Sequence, residues 1–201
     1  MDITEKDVYV AYQGNNNAYI IIDECAISQT LEGFLIESNN TVIGTNGFQQ
    51  KAVLRTDQKW QMQELKVAIE SMSIEMCAYV KERKVYIKQK QQDTVDFEKI
   101  IGLQNDNFFF QYSGALIVPM IWLRGFDFDS YEKITYQMLP TGYAEIKQLP
   151  NTASSQHIRS FSLLMYVHNF TDILKIQTDM CGKLLSLHSE TNQVTIKLQT
   201  Q

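Results

Sequence analysis

Two carboxylates two residues apart, Asp127 and Asp129, follow Arg124, with Glu132 close behind. On an extended chain, residues i and i+2 share a face. The pair would then present both carboxylates together, as a hydrolase or a metal site requires. Acids at this spacing are also common in solvated turns, where Arg124 would pair with Asp127 or Asp129. The other reactive residue types are scattered. His157, His168 and His188 lack a metal-ligand spacing such as HExxH. Ser113-Gly114 lacks the flanking glycines of a nucleophile elbow, and no glycine-rich phosphate loop occurs. Asp57 near Trp60, and Asp106 between Asn105 and Asn107, read as turns. Cys25, Cys77 and Cys181 are far apart and odd in number, which suits free thiols better than a disulfide framework or a zinc motif. These residues imply no catalytic group, no metal and no cofactor. A hydrolase using paired carboxylates stands only as an alternative.

The apolar chemistry concentrates in residues 108–140. The densest apolar run, 115–122, is broken by Pro119. Proline has no backbone donor and does not occupy an ordinary central strand, but it suits a first helical turn. Gly125 fits just past a helix end. Residues 112–124 are therefore expected to form a short helix or helical turns, a plug in an otherwise β protein. Met120, Trp122 and Phe126 would line the mouth of a cavity, with Arg124 near its rim. Tyr136 and Tyr143 would add amphipathic edges. Plain core is the simpler reading of Trp122 and Phe126.

Strands must position this plug. Val8, Val10 and Tyr12 alternate with other residues before a GNNN turn at 14–17, and 19–23 resumes an apolar run, a hairpin pattern. Residues 31–38 and 41–48 would form a second hairpin around Asn39-Asn40, a pair that tolerates left-handed turns. Residues 51–56 are another candidate strand. The segment 60–80 carries a helical stripe (Met62, Leu65, Ile69, Met72, Met76) but also two alternations, which favour strands with a change of parity near Glu70-Ser71. Residues 73–88 read as a hairpin turning at 81–84, followed by a polar loop at 89–94. After the plug, 131–139 and 143–149 alternate around Pro140-Thr141-Gly142. Four more strands follow, the last three as an antiparallel meander.

Length and composition agree with this. A chain of 201 residues with 44% hydrophobic and 20% charged residues buries a large core and is too apolar for disorder. Only 3 Pro and 9 Gly argue against long linkers, so one antiparallel β domain over residues 1–201 is expected. The net charge of −5 argues against nucleic acid as a partner. No apolar run reaches the roughly 18–20 residues of a membrane span. The first residues lack a signal-peptide pattern, so the expected location is the cytoplasm.

The closing phrase LKIQTDMCGKLLSLHSETNQVTIKL, set behind long antiparallel sheets and a mid-chain apolar plug, resembles the lipoprotein-carrier and lipoprotein-receptor folds of the bacterial envelope. It is also similar to the glycolipid-binding domains grouped with them. The resemblance implies a curved antiparallel sheet or half-barrel with one or two short helices on its concave face. The implied function is non-catalytic binding of an apolar or amphipathic small molecule, lipid or glycolipid. An interaction or oligomerisation domain with a filled core is the other non-enzymatic alternative.

Overall fold

The computed structural model describes residues 3–14, 19–44, 47–92, 94–103, 108–110, 124, 133–139, 143–149, 157–167 and 170–199. Fifteen strands run through them: β1 (Ile3–Gln13), β2 (Tyr19–Gln29), β3 (Gly33–Val42), β4 (Phe48–Asp57), β5 (Met62–Ile69), β6 (Ile74–Lys81), β7 (Lys84–Gln91), β8 (Thr94–Gly102), β9 (Phe108–Phe110), β10 (Lys133–Leu139), β11 (Tyr143–Leu149), β12 (Arg159–Val167), β13 (Phe170–Thr178), β14 (Leu184–Ser189) and β15 (Val194–Gln199).

All fifteen join in one sheet, ordered β8-β7-β6-β5-β4-β3-β2-β1-β15-β14-β13-β12-β11-β10-β9. The first and last strands, β1 and β15, pair in its middle. One meander runs outward from β1 to the edge strand β8, and a second returns from the opposite edge to β15. The two edges, β8 and β9, are consecutive in the chain, with only residues 103–107 between them. That link spans at most about 20 Å at ~3.5 Å per residue. A flat sheet of this width would hold its edges about 65 Å apart at ~4.8 Å per strand. The sheet must therefore curl until its edges approach, as a barrel does.

Every neighbouring pair is antiparallel except β9 and β10, which are parallel, with Phe110 opposite Leu139. Parallel neighbours need a crossover. Residues 111–132 supply it, returning the chain from the level of Leu139 to that of Lys133.

Strand alternation builds the interior. One register row, Ile27–Ile36–Leu54–Leu65–Ala78–Ile87, crosses six strands, and every member is buried. A second row, Leu187–Ile196–Ala11, continues the same apolar cluster across β14, β15 and β1. Residues between these positions face the other side of the sheet, where the charged residues of β4 to β7 lie, although Val10 of β1 is buried on that side too.

Segment 60–80 forms β5 and β6, joined by the 3-10 turn Glu70–Met72, so the strand reading of this stretch holds. The 73–88 hairpin also forms. It turns on Glu82 and Arg83, both left-handed (φ 52 and 57), the backbone of a tight two-residue hairpin turn. Two expectations are corrected. Asn39-Asn40 is not a turn: β3 runs straight through both, because Asn40 points inward opposite Asp23 and Gln50. The chain reverses instead beyond Val42, near Gly44, whose φ of 151 suits glycine, with the Gly47 amide donating to the Gly44 carbonyl at 3.0 Å. Residues 89–94 are not a loop either, since β7 extends to Gln91 and β8 starts at Thr94. The expected helical plug lies outside the described residues except for Arg124, which is helical.

Three aspartates fix turns. Asp57 Oδ1 accepts from the Lys59 and Gln61 amides (2.8 and 2.9 Å), and Asp179 Oδ1 does the same for Cys181 and Lys183 (2.8 and 2.9 Å). Asp172 is buried, accepting from Ser189 Oγ at 2.5 Å and from the Thr191 amide at 3.0 Å.

Candidate functional site

Take as the upper end the one where β1 begins and β4 turns into β5. Three elements meet there. Trp60, in the β4–β5 turn, stacks on Phe34 of β3, with ring centroids 3.8 Å apart and planes within 7°. Arg124, from the crossover, lies over the Trp60 ring at 4.9 Å and pairs with Glu5 of β1. Trp60 has a φ of 64, a conformation that a bulky residue holds only when its surroundings enforce it. The stack supplies that enforcement. Beside it, Lys183 Nζ pairs with Asp7 Oδ1 at 2.6 Å. Two acids of β1, Glu5 and Asp7, thus each hold a cation from a distant element, one of them the crossover.

Arg124→Met would leave the Glu5 carboxylate, itself partly exposed, without its cation and strip the face of Trp60. The expected loss is about 2 kcal/mol of unfolding free energy, measured by urea denaturation. In a Glu5→Gln background the cost should shrink by about half. An unchanged cost there would show that the two side chains are not coupled.

Below this mouth Tyr9 and Cys25 are buried. The Tyr9 hydroxyl donates to the Leu184 carbonyl at 3.2 Å, and burial, reinforced by Asp7, raises its pKa strongly while Arg124 opposes the shift. The Cys25 thiol is pushed up to about 12, chiefly by burial, with the Asp23 and Asp7 carboxylates adding. A thiol whose folded pKa lies above its unfolded value of about 9 contributes nothing pH-dependent below pH 9. Above it the unfolded chain ionises first. Stability should then fall by about 1.4 kcal/mol per pH unit from this group alone. Urea midpoints at pH 7.5, 9 and 10.5 would show the decline, and Cys25→Val should flatten its first part. An equal slope in the variant would assign the decline elsewhere.

Toward the lower end one row turns polar. Tyr9, Asp23, Asn40 and Gln50 stand opposite one another on β1 to β4, all buried. Ser38 Oγ donates to Asp23 Oδ1 at 2.5 Å. Neither amide atom of Gln50 has a hydrogen-bond partner.

At the β8 edge the inner wall meets solvent. Phe97, Lys99 and Ile101 continue the inner rows of β7, opposite Gln89, Ile87 and Val85. Phe97 is 38% exposed, whereas Ile87 is 3%. Among the described residues no strand pairs with the outer edge of β8. An inward lysine on an edge strand also discourages stray strand pairing.

Of the residues singled out from sequence, the structure places Arg124 at the mouth, paired with Glu5. Met120, Trp122 and Phe126 lie outside the described residues, as do Asp127 and Asp129. Tyr136 and Tyr143 lie on adjacent strands, opposite Ala144 and Gln137 respectively. Glu5, Phe34 and Trp60 were not foreseen. They come from three separate elements, and no local pattern links them to residue 124. Among the described residues no group of three His, Cys, Asp or Glu side chains could hold a metal. His188 Nδ1 instead contacts Thr195 Oγ1 at 2.8 Å on the neighbouring strand. Also among them, no helix is long and apolar enough to cross a membrane.

Fold and site together define a barrel-like antiparallel β protein with an apolar inner wall. A solved structure of the same kind is the beta-barrel-like protein of the domain of unknown function DUF1849 from Brucella abortus. It superposes with a TM-score of 0.55 over 96% of this chain and 92% of that one, at 6% sequence identity. No family model matches the chain, and no curated protein matches it. The likeness is one of fold.

Proposed function

We propose that this chain binds a hydrophobic or lipid-like molecule, non-covalently and without catalysis, against the inner wall of its half-barrel. The observation that carries the reading is the β8 seam. The inner row is apolar and buried through Leu65, Ala78 and Ile87, whereas Phe97, on the inner face of the edge strand, is 38% exposed, so an acyl chain can meet an apolar side chain at this seam. Each methylene buried along it contributes about 0.8 kcal/mol. In this reading the chain is one domain over residues 1–201. Met120, Trp122 and Phe126 of the crossover wall the site, and Tyr136 and Tyr143 give amphipathic edges. Arg124, held by Glu5 and Trp60, fixes the crossover at the mouth and does not serve as a free headgroup anchor.

Native mass spectrometry of the purified protein, followed by organic extraction, tests this. A co-purifying species of lipid mass, lost on denaturation, is expected. A clean apo mass together with no uptake of a fluorescent fatty acid would end the proposal.

A second reading, an oligomerisation domain, is favoured by one outer row. Tyr79 and Tyr86 stack at 4.9 Å, and Ile100, opposite Tyr86, is 59% exposed at the sheet edge. Light scattering at increasing concentration separates the two. A stable dimer broken by Ile100→Lys would favour this second reading.

A further inference from the structure

We infer that Gln50, with Asn40 and Asp23 beside it, forms a buried recognition site for a neutral hydrogen-bonding group, a hydroxyl or an amide, on the bound amphipath. This rests on the ligand-binding reading above and names the headgroup class.

The argument starts from Gln50. Its carboxamide offers two donors and an acceptor with two lone pairs. The residue is 1% exposed, and neither amide atom has a partner. Buried polar groups are nearly always hydrogen-bonded, and one left unmet destabilises the fold. Nothing in the strand itself requires a polar residue here. The next inward positions of β4 are Ala52 and Leu54, both buried and apolar. The flanking positions across the sheet are not apolar. Asn40 stands directly opposite Gln50, and Asp23 opposite Asn40. Three carboxamide or carboxylate side chains thus stand side by side in one buried row on the inner face.

The chemistry of the row selects the ligand. Asp23 is a fully buried acid that already accepts from Ser38 Oγ, and an anionic headgroup buried beside a carboxyl group is strongly disfavoured. A neutral group that both donates and accepts matches the unmet capacity of Gln50 and adds no buried charge. The row also lies on β2 to β4, away from the ion pairs of the mouth. The headgroup then enters the interior and does not remain at the rim.

The test compares two probes with the same acyl chain, 1-decanoylglycerol and decanoate, titrated against the full chain by isothermal calorimetry. The wild-type protein is expected to bind the glycerol ester at least tenfold more tightly. Gln50→Leu and Gln50→Met should bring the two probes within threefold of one another. Both ligand-free variants should also melt at a higher temperature than wild type, because the unmet amide is gone. The methionine variant keeps the side-chain length should leucine disturb packing. Equal binding of both probes by the wild type, or a preference that survives both substitutions, would overturn the inference while leaving the ligand-binding reading standing. Failure of the wild type to bind either probe would remove the ligand-binding reading itself.

Discussion

Gly33→Ala is expected to destabilise the fold by at least about 3 kcal/mol, at the top of the range for overpacking. A Cβ at Gly33 would stand 1.9 Å from the Thr56 carbonyl oxygen, 2.6 Å from the Asp57 carbonyl carbon and 2.7 Å from the Asp57 Cα. All three are backbone atoms, so no side chain can swing away. The approach is this close because Gly33 opens β3 directly opposite Asp57, where β4 ends. The chain is clamped there from both sides. The Gly33 amide donates to Thr30 Oγ1 at 3.0 Å, and its carbonyl accepts from the Thr30 amide at 2.8 Å. Relief would require the upper ends of β3 and β4 to separate, and these strands bring Phe34 and Trp60 together. The variant should therefore lose stability in urea and show altered tryptophan fluorescence before unfolding. A change below about 0.5 kcal/mol would mean that the β3–β4 contact is looser than described.

Leu65→Ala is expected to cost about 4 kcal/mol, in the upper part of the range for emptying a buried leucine site. Leu65 is fully buried at the centre of the row that runs from Ile27 to Ile87. Its neighbours Leu54 and Ala78 belong to strands bonded on both sides, so the wall cannot collapse into the hole. The same rigidity links the substitution to function. In the ligand-binding reading the hole enlarges the apolar interior, and decanoate should raise the melting temperature of the variant more than that of the wild type. A loss under about 1 kcal/mol would show that the row is not packed as a continuous wall.

Much of this fold is legible along the chain. Alternation in the 60–80 segment indicates two strands with a break near Glu70, because a strand returns every second side chain to one face whatever its partners. The closing meander β13–β14–β15 is equally plain, since its turns are local and two are pinned by Asp172 and Asp179. Asn39-Asn40 misleads for the complementary reason. Asparagine suits a tight turn by its own conformational freedom, yet Asn40 lies inside β3 because its neighbours across the sheet are Asp23 and Gln50. That contact involves residues 17 and 10 positions away, and no local rule weighs it.

The sequence by itself therefore determined the predominance of antiparallel strands, the two-strand break in the 60–80 segment and the closing meander. Each of these follows from interactions between residues close in the chain. Only the tertiary structure decided that β1 pairs with β15, that the two sheet edges are joined by five residues and so must approach, and that Arg124 meets Glu5 and Trp60. It also decided that Gln50 is sealed without a partner. Those outcomes depend on which strands become neighbours when the sheet curls, and curling is set by the sum of all pairings and not by any one stretch of chain.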